Sequence, residues 1–241
     1  MSRMRADLLI VARGLAESRA KARAAIEAGG VSANGVAVAK PSDLIDEEAQ
    51  LEVAPPHPWV SRGGIKLAGA LDAFSVDPAG RVCLDVGAST GGFSHVLLAR
   101  GAARVYAVDV GRDQLHPSLR ADPRVISLEQ TDARSLTRGD VRVAPSLIVC
   151  DASFIGSAKV LATPFALAAD SADAIVLIKP QFEAGPKASR DGVLDEAAAR
   201  AAAHSAMTAL DGLERFCVTA SMDSPIRGGD GNLERLAHLK R

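Results

Sequence analysis

Apolar and polar positions change along the chain in blocks that predict an α/β sheet domain. From residue 82 onward, short apolar runs typical of buried strands are separated by longer segments whose apolar positions have helical spacing. Strands are predicted at 82–85, 105–109, 146–150, 174–178 and 215–220, with helices at 93–100, 158–169 and 195–210. This alternation indicates a doubly wound, mainly parallel sheet, in which ligands bind at the carboxyl ends of the strands.

The first 53 residues have a different pattern, which predicts a small α+β unit. Ser18 is a candidate N-cap for an alanine-rich helix over 19–28, and Gly29 with Gly30 would end that helix. The pair at 34–35, Asn-Gly, separates two short apolar runs, which is a strong signal for a β-hairpin.

A proline-rich segment divides the chain into two predicted domains. Three of the residues 55–58 are prolines, so residues 54–60 are predicted to form an extended, semi-rigid linker between domains at 1–53 and 61–241. Trp59, the only tryptophan of the chain, lies in this linker. Its large apolar ring favours packing against the second domain over stacking on a nucleic-acid base.

Composition and charge narrow the class of protein. The chain has 241 residues, 48% apolar and 24% charged, as in a soluble globular protein, and its formal net charge of -1 excludes a globally basic surface. Positive charge is concentrated at 1–40, with seven Lys or Arg against three acidic residues. There Arg19 and Arg23 share one face of the predicted helix, either as a phosphate-contacting stripe or as an ordinary solvated face.

Cysteine usage and the length of the apolar stretches indicate the compartment. Cys83, Cys150 and Cys217 lie in or beside apolar runs, so all three are predicted to be reduced core residues. The five histidines are scattered and suggest no metal site. No apolar stretch reaches the roughly 20 residues of a membrane span, and none resembles a signal peptide. We therefore predict a cytoplasmic protein without a membrane or metal partner.

A glycine-rich turn after the first predicted strand of the second domain indicates the small-molecule ligand. Residues 85–93 read Asp-Val-Gly-Ala-Ser-Thr-Gly-Gly-Phe, which is neither a dinucleotide fingerprint nor a triphosphate loop. Asp85 is predicted to end the strand with a carboxylate facing the pocket, and Asp109 ends the next strand, where ribose hydroxyls are usually accepted. S-adenosylmethionine fits this pattern; the alternative is a tight turn without a ligand.

The N-terminal unit resembles the S4 RNA-binding domain. The residues that carry this resemblance are Arg5-Ala6-Asp7-Leu8-Leu9, Gly14-Leu15-Ala16-Glu17-Ser18-Arg19, Ile26-Glu27-Ala28-Gly29, Val36 and Lys40-Pro41-Ser42. The resemblance implies contact with the backbone and shape of structured RNA. The candidate RNA-binding residues are Arg5, Arg19, Arg23, Lys40 and Arg62.

Four polar residues of the second domain form a candidate catalytic set. Asp151 and Lys179 each follow an apolar strand, Glu234 lies in a glycine-rich segment, and Lys66 opens the domain. Taken alone, Lys179 would be read as a solvated strand end and Lys66 as a surface charge. Together the four residues resemble the Lys-Asp-Lys-Glu tetrad of ribose 2′-O-methyltransferases.

The whole chain resembles the haemolysin-named TlyA family of rRNA 2′-O-methyltransferases. The segments that carry the resemblance lie at 60–67, 85–93, 105–111, 150–155, 179–185, 224–226 and 231–234. This resemblance implies an N-terminal S4 domain followed along the chain by a Rossmann-like methyltransferase domain. The implied donor contacts are Asp85, Gly87, Ala88, Ser89, Thr90, Gly91, Gly92, Phe93, Asp109, Val110, Asp132, Ala133 and Asp151.

Two positions depart from the pattern of this family. Asp132 stands where the family often has asparagine, in the region expected to contact adenine. The segment 228–230, Gly-Gly-Asp, replaces a usual Gly-Pro-rich stretch next to Glu234.

The chemistry of a ribose methyl transfer explains why these residue types are wanted. A 2′-hydroxyl is a poor nucleophile, so it must be positioned and its proton removed. A free lysine is protonated at neutral pH, and burial with a second ammonium nearby favours the neutral amine. We predict Lys179 as the proton acceptor, Lys66 as the second ammonium that also holds the hydroxyl oxygen, and Asp151 and Glu234 as their orienting carboxylates. No metal is required.

The sequence leaves three function hypotheses. The first is methylation of cytidine riboses in 16S and/or 23S rRNA within the 30S and/or 50S subunits. The second is a membrane-active haemolysin, which co-sedimentation with liposomes would reveal. The third is a ribosome-binding or assembly factor without turnover, which would not bind the methyl donor.

Overall fold

The computed structural model describes residues 2–27, 29–53, 57–184 and 193–241. Internal contacts divide the chain into two compact units, Met1–Pro58 and Trp59–Arg241. Of the predicted linker, residues 54–56 lie outside the described ranges, and so do Ala28 of the predicted helix and Gly185 of the segment at 179–185. The linker therefore remains a prediction.

The first unit combines two helices with short antiparallel strands. Its elements in chain order are β1 (Arg3–Arg5), α1 (Ala6–Ala12), α2 (Arg19–Glu27), β2 (Val31–Ala33), β3 (Val36–Ala37), β4 (Leu44–Asp46) and β5 (Leu51–Val53). Within the described residues, β1 pairs with β4, and β2 lies between β3 and β5. The predicted hairpin is confirmed, since β2 and β3 pair around Asn34 and Gly35, whose φ angles are 50° and 77°.

Apolar side chains from the two helices form the core of the first unit. Ala6 and Ile10 from α1 meet Ala22 and Ile26 from α2 in one core, where all four are buried. The predicted N-cap is confirmed, because Ser18 Oγ accepts a hydrogen bond from Lys21 N at 3.3 Å.

The second unit is an α/β sheet domain. Its elements continue as α3 (Gly63–Phe74), β6 (Val82–Val86), α4 (Gly92–Ala99), β7 (Arg104–Val108), α5 (Pro117–Arg120), β8 (Val125–Leu128), β9 (Leu147–Cys150), α6 (Ser157–Ala166), β10 (Asp173–Ile178), α7 (Pro180–Glu183), α8 (Glu196–Leu210), β11 (Cys217–Asp223) and β12 (Arg235–Lys240). In the described part of the chain, the sheet order is β11-β12-β10-β9-β6-β7-β8. The five strands from β10 to β8 are parallel, and β12 is antiparallel to both neighbours. The predicted doubly wound, mainly parallel sheet is confirmed.

Helix α3 was absent from the predicted elements because it contains three glycines, which weaken helix propensity. One of them is required by packing: a Cβ on Gly64 would lie 2.3 Å from Cγ of Trp59. Trp59 in turn makes an edge contact with His95, with ring centroids 5.4 Å apart, and packs against the core of the second unit as predicted.

The predicted ligand edge lies where the strand order reverses. From β6 the chain proceeds through β7 to β8 and then returns to β9 on the other side of β6. A crevice is expected outside the carboxyl ends of β6 and β9 at such a point. The two loops touch there: Gly87 has φ of 81°, and a Cβ on it would lie 2.9 Å from Cα of Ala152.

The prediction that all three cysteines are core residues was wrong for one of them. Cys83 and Cys150 are buried in central strands, and burial raises the pKa of each thiol to about 12. Cys217 is exposed at the start of β11, an edge strand of the sheet, where an apolar sequence neighbourhood does not imply burial.

Among the helices of the described residues, none combines the length and the apolar character needed to cross a membrane.

Candidate active site

The four residues of the candidate catalytic set come together as two ion pairs. Lys66 of α3 pairs through Nζ with Oε2 of Glu234, which directly precedes β12. Lys179, directly after β10, pairs with Asp151, directly after β9, with Nζ and Oδ1 2.6 Å apart. Lys66 and Glu234 are nearly sealed, with 9% and 3% of their side chains exposed, whereas Asp151 is 23% exposed. The first pair is thus internal, and the second is partly exposed to solvent.

Lys179 is held by more than its carboxylate partner. Its Nζ also donates to the backbone oxygen of Asp151 at 3.2 Å and to Oγ of Ser153 at 2.8 Å. Two hydrogen bonds and the ion pair with Asp151 therefore hold the ammonium in place. Ser153 lies in the segment 150–155 that carries the family resemblance, but it was not assigned a role from the sequence.

Two further contacts join the segments that carry Asp151 and Lys179. Glu183 at the end of α7 accepts a hydrogen bond through Oε1 from the backbone N of Ser157, 2.8 Å away, and so caps α6. The rings of Phe154 and Phe182 pack with centroids 4.9 Å apart. The loop after β9 and the turn after β10 are therefore joined by one polar and one apolar contact.

The glycine-rich segment before Glu234 forms a compact turn that leaves room for the carboxylate. Gly228 N donates to the backbone oxygen of Asn232 at 3.0 Å, and Ser224 N donates to that of Glu234 at 2.9 Å. A Cβ on Gly228 would lie 2.8 Å from Oε1 of Glu234. A glycine at 228 is therefore part of how the chain presents Glu234, despite the departure from the family pattern.

One cavity of about 540 Å³ is lined by three of the four catalytic candidates. Lys66, Asp151 and Lys179 line it together with Arg62, while Glu234 contacts Lys66 from outside the lining. Three cations and one carboxylate give this cavity a positive character that suits a polyanion. We call it the acceptor cavity.

A second cavity, of about 550 Å³, lies at the ends of β6, β7 and β8, and we call it the donor cavity. Asp109 is fixed at its mouth, since Oδ2 accepts from Ser89 N at 2.8 Å and Oδ1 from Gly111 N at 2.7 Å. Asp132 is bound by Arg134, whose Nη2 lies 2.6 Å from Oδ2 and whose guanidinium lowers the pKa of Asp132 to about 2. Gly111 and Arg134 line this cavity but were not singled out from the sequence.

The predicted donor contacts divide between the two cavities. The donor cavity is lined by Gly87, Ser89, Asp109, Val110, Asp132, Ala133 and Asp151, and the acceptor cavity by Gly87, Ala88, Ser89, Thr90, Gly92, Phe93 and Asp151. Gly87, Ser89, Asp151 and Ser153 line both. The two cavities therefore share a wall.

Two predicted donor residues, Asp85 and Gly91, line neither cavity in the described part of the chain. Gly91 starts α4 with φ of 91°, and a Cβ on it would lie 2.3 Å from Cδ1 of Leu119. Asp85 is fully buried and accepts a hydrogen bond from Oγ of Ser94 on α4 at 2.7 Å. Side chains alternate along β6, so Asp85 lies on the same face of the strand as Cys83, and α4 covers this face. The carboxylate of Asp85 therefore faces the protein interior, whereas the sequence predicted that it would face the pocket.

Burial raises the pKa of Asp85 to about 7. Its usual pKa is near 3.9, so between these values the folded protein binds a proton that the unfolded chain does not. The contribution of Asp85 to the free energy of unfolding should therefore fall as pH rises from about 4 to about 7.

Asp85→Asn is expected to stabilise the ligand-free protein at pH 8, by on the order of a few kcal/mol, because the cost of the buried charge is removed. Urea unfolding at pH 5 and pH 8 measures this, with the exposed Asp72→Asn as control. An Asp85→Asn protein that is less stable than wild type at pH 8 would show that the ionised carboxylate is well accommodated.

The candidate RNA-contacting residues lie in both units. In the first unit, Arg19 bonds to Asp7, and Arg23 lies 3.8 Å from Glu27. In the second unit, Arg62 lines the acceptor cavity and donates through Nη2 to the backbone oxygen of Arg227 at 2.7 Å. No group of three or more His, Cys, Asp or Glu within the described ranges could hold a metal ion.

Comparison with known proteins identifies two domain families. The model of the FtsJ-like methyltransferase family matches residues 59–241, and that of the S4 domain matches residues 4–51. The 16S/23S rRNA (cytidine-2'-O)-methyltransferase TlyA of Mycobacterium tuberculosis is 43% identical over 241 residues, covering 99% of this chain and 90% of the relative.

Solved structures agree with these matches. A hemolysin-named protein from Streptococcus thermophilus has a TM-score of 0.76 and 37% identity, covering 100% of this chain and 89% of the other. An S-adenosylmethionine-dependent methyltransferase from Listeria monocytogenes shares the fold alone, with a TM-score of 0.54 and 13% identity over 75% of this chain and 99% of the other.

Proposed function

Because the chain belongs to the FtsJ-like methyltransferase family, and within it to the TlyA group with an N-terminal S4 domain, we propose that it methylates rRNA riboses. The reaction transfers a methyl group from S-adenosylmethionine to the 2′-hydroxyl of cytidine. The observation that carries this proposal is the acceptor cavity, which Lys66, Lys179 and Asp151 line together and which shares the wall at Asp151 with the donor cavity. We place the reaction in the cytoplasm, on 30S and/or 50S subunits.

The donor cavity has the features that S-adenosylmethionine requires. Gly87 lets the loop after β6 approach the backbone of Ala152, and both residues line this cavity. Asp109, held by two backbone N–H groups, is suited to accept ribose hydroxyls, and Asp132 lies where an adenine amino group could donate. When bound, the donor supplies a sulfonium methyl group with a neutral thioether as leaving group.

Lys179 is the proposed proton acceptor for the ribose hydroxyl. Two hydrogen bonds and the ion pair with Asp151 fix the position of its Nζ at the acceptor cavity. Ser153 suits both protonation states of the lysine, because a hydroxyl accepts a hydrogen bond from an ammonium and donates one to a neutral amine. Asp151 orients Lys179, and Glu234 orients Lys66.

The proposal is tested by incubating the protein with tritiated S-adenosylmethionine and unmodified 30S and 50S subunits, followed by mapping of 2′-O-methyl groups. Label on a cytidine ribose supports the proposed reaction. Label on a base would overturn the assignment of the acceptor atom. Donor binding without transfer to either subunit would overturn the assignment of these subunits as substrate, and absent donor binding would favour the assembly-factor hypothesis.

Replacing Arg19 and Arg23 together by alanine is expected to flatten the salt dependence of rRNA binding. Loss of two phosphate contacts should reduce the slope of log affinity against log salt by up to about two units. Filter binding to rRNA at about 50 to 200 mM salt measures this slope. Arg100→Ala with Arg215→Ala is a control of equal charge, and an unchanged slope in the Arg19 and Arg23 variant would move the RNA surface elsewhere.

A further inference from the structure

Asp7 is a buried carboxylate between two arginines of the first unit. None of its surface is exposed, yet it accepts hydrogen bonds from Arg5 Nε at 3.0 Å, Arg5 Nη2 at 3.1 Å and Arg19 Nε at 2.8 Å. The Arg5 guanidinium, with the help of Arg19, holds the pKa of Asp7 well below its usual range. Asp7 is therefore a fixed negative charge at neutral pH.

The two arginines come from different parts of the chain and remain half-exposed. Arg5 ends β1 and Arg19 begins α2, with 41% and 54% of their side chains accessible to solvent. A guanidinium has five N–H donors, and Asp7 engages two nitrogens of Arg5 and one of Arg19. The remaining donors of both side chains are available for a ligand such as a phosphate, which guanidinium groups bind in a bidentate manner.

The backbone around Asp7 places a third cation-bearing segment at the same corner. Asp7 N donates to the backbone oxygen of Pro41 at 3.1 Å, and Ala6 N donates to that of Asp43 at 2.8 Å. Asp43 in turn accepts a bond from Lys40 N at 2.8 Å through its side chain. The segment with Lys40 is thus tied to the residue that holds the two arginines.

Fold stability alone does not explain this arrangement. A buried ion pair can often be replaced by apolar residues without loss of stability, because removing charges from water is costly. A fixed carboxylate does reduce the rotamer freedom of long arginine side chains, and ordering such side chains is a cost of binding. Arg23 differs in this respect: its partner Glu27 lies 3.8 Å away on the exposed helix surface.

We propose that Asp7 is a positioning residue that fixes Arg5 and Arg19 as one pre-ordered phosphate-binding site for rRNA. The proposal rests on the proposed function. A positioning role and a purely electrostatic role of Asp7 predict opposite changes in RNA affinity for one substitution. Asp7→Asn removes a negative charge, so long-range attraction alone would make RNA binding tighter. Loss of positioning makes RNA binding weaker, by about tenfold, the size expected when two arginine side chains must be ordered during association.

The experiment compares full-length wild type, Asp7→Asn and Glu27→Gln in binding and methylation of the same rRNA. Glu27→Gln is the matched control, since it removes an acidic partner of an arginine that is not pre-ordered. We expect KM for rRNA to rise about tenfold in Asp7→Asn with kcat within about twofold, and KM to stay level or fall in Glu27→Gln. Equal or tighter binding of Asp7→Asn would overturn the positioning role.

If circular dichroism shows that Asp7→Asn does not fold, a double variant tests the positioning role instead. Arg5→Lys with Arg19→Lys keeps the charge and leaves Asp7 in place, but lysine lacks the planar fork of arginine. Positioning predicts a similar loss of affinity in this variant, and charge alone predicts none. Failure of the proposed function is distinct from both outcomes, because wild type itself would then not methylate rRNA.

Discussion

Lys179→Ala is expected to lower the rate of methyl transfer by a hundredfold or more while leaving donor binding intact. Removal of a general base costs about 10² to 10⁴ in rate. Lys179 lines the acceptor cavity and is bonded to Ser153, a residue of the wall that the two cavities share. Single-turnover transfer from tritiated donor to rRNA measures the rate, and calorimetry measures donor affinity. Retention of more than about a tenth of wild-type turnover would refute the assignment of Lys179 as base.

Two further variants separate proton removal from charge. Lys179→Arg keeps a cation that does not lose its proton, so it should be as inactive as alanine if the residue is the base. Substantial activity of the arginine variant would indicate that only positive charge is needed. Lys159→Ala, which removes an exposed lysine of α6, is the matched control and should transfer at the wild-type rate.

Glu234→Ala is expected to reduce both stability and activity, because it leaves the ammonium of Lys66 buried without its partner. Breaking a buried ion pair from one side typically costs about 3 to 5 kcal/mol. Lys66 and Glu234 are 9% and 3% exposed, so solvent cannot replace the lost carboxylate without rearrangement. Urea unfolding measures the change in the free energy of unfolding, and the transfer assay measures activity.

The double variant Lys66→Met with Glu234→Leu tests whether this ion pair is needed for methyl transfer and not for stability. Apolar residues of similar size should recover most of the lost stability, since the desolvation of both charges is removed. Activity should remain lost, because Lys66 lines the acceptor cavity. A double variant that is stable and fully active would contradict a role for Lys66 in holding the ribose hydroxyl. Glu234→Gln, which keeps a hydrogen-bond acceptor, should be less destabilised than alanine.

The parts of the site that lie at strand ends were predictable from sequence. Asp109, Asp151 and Lys179 follow apolar runs, and strands in a parallel sheet bring their carboxyl ends to one edge. The N-terminal hairpin was predictable for a similar reason, since Asn34-Gly35 specifies the turn locally. In both cases, a short stretch of sequence contains the determining information.

Features that depend on packing between distant segments were not predictable. The direction of Asp85 depends on which face of β6 is covered by α4, and the role of Gly91 depends on Leu119 of α5. Helix α3 is stabilised by contacts such as that of Gly64 with Trp59, against its own weak propensity. The exposure of Cys217 follows from the position of β11 at the sheet edge, which only the strand order reveals.

The wall shared by the two cavities offers a route to selective inhibitors. Gly87, Ser89, Asp151 and Ser153 line both cavities, so the donor and the ribose would lie side by side if they bind as proposed. A compound that links an adenosine fragment to a cytidine-like fragment would occupy both at once. Linking two fragments means that the entropy of association is lost once rather than twice, which raises affinity beyond that of either part. Such a compound would also discriminate against methyltransferases that share the donor cavity but have a different acceptor cavity.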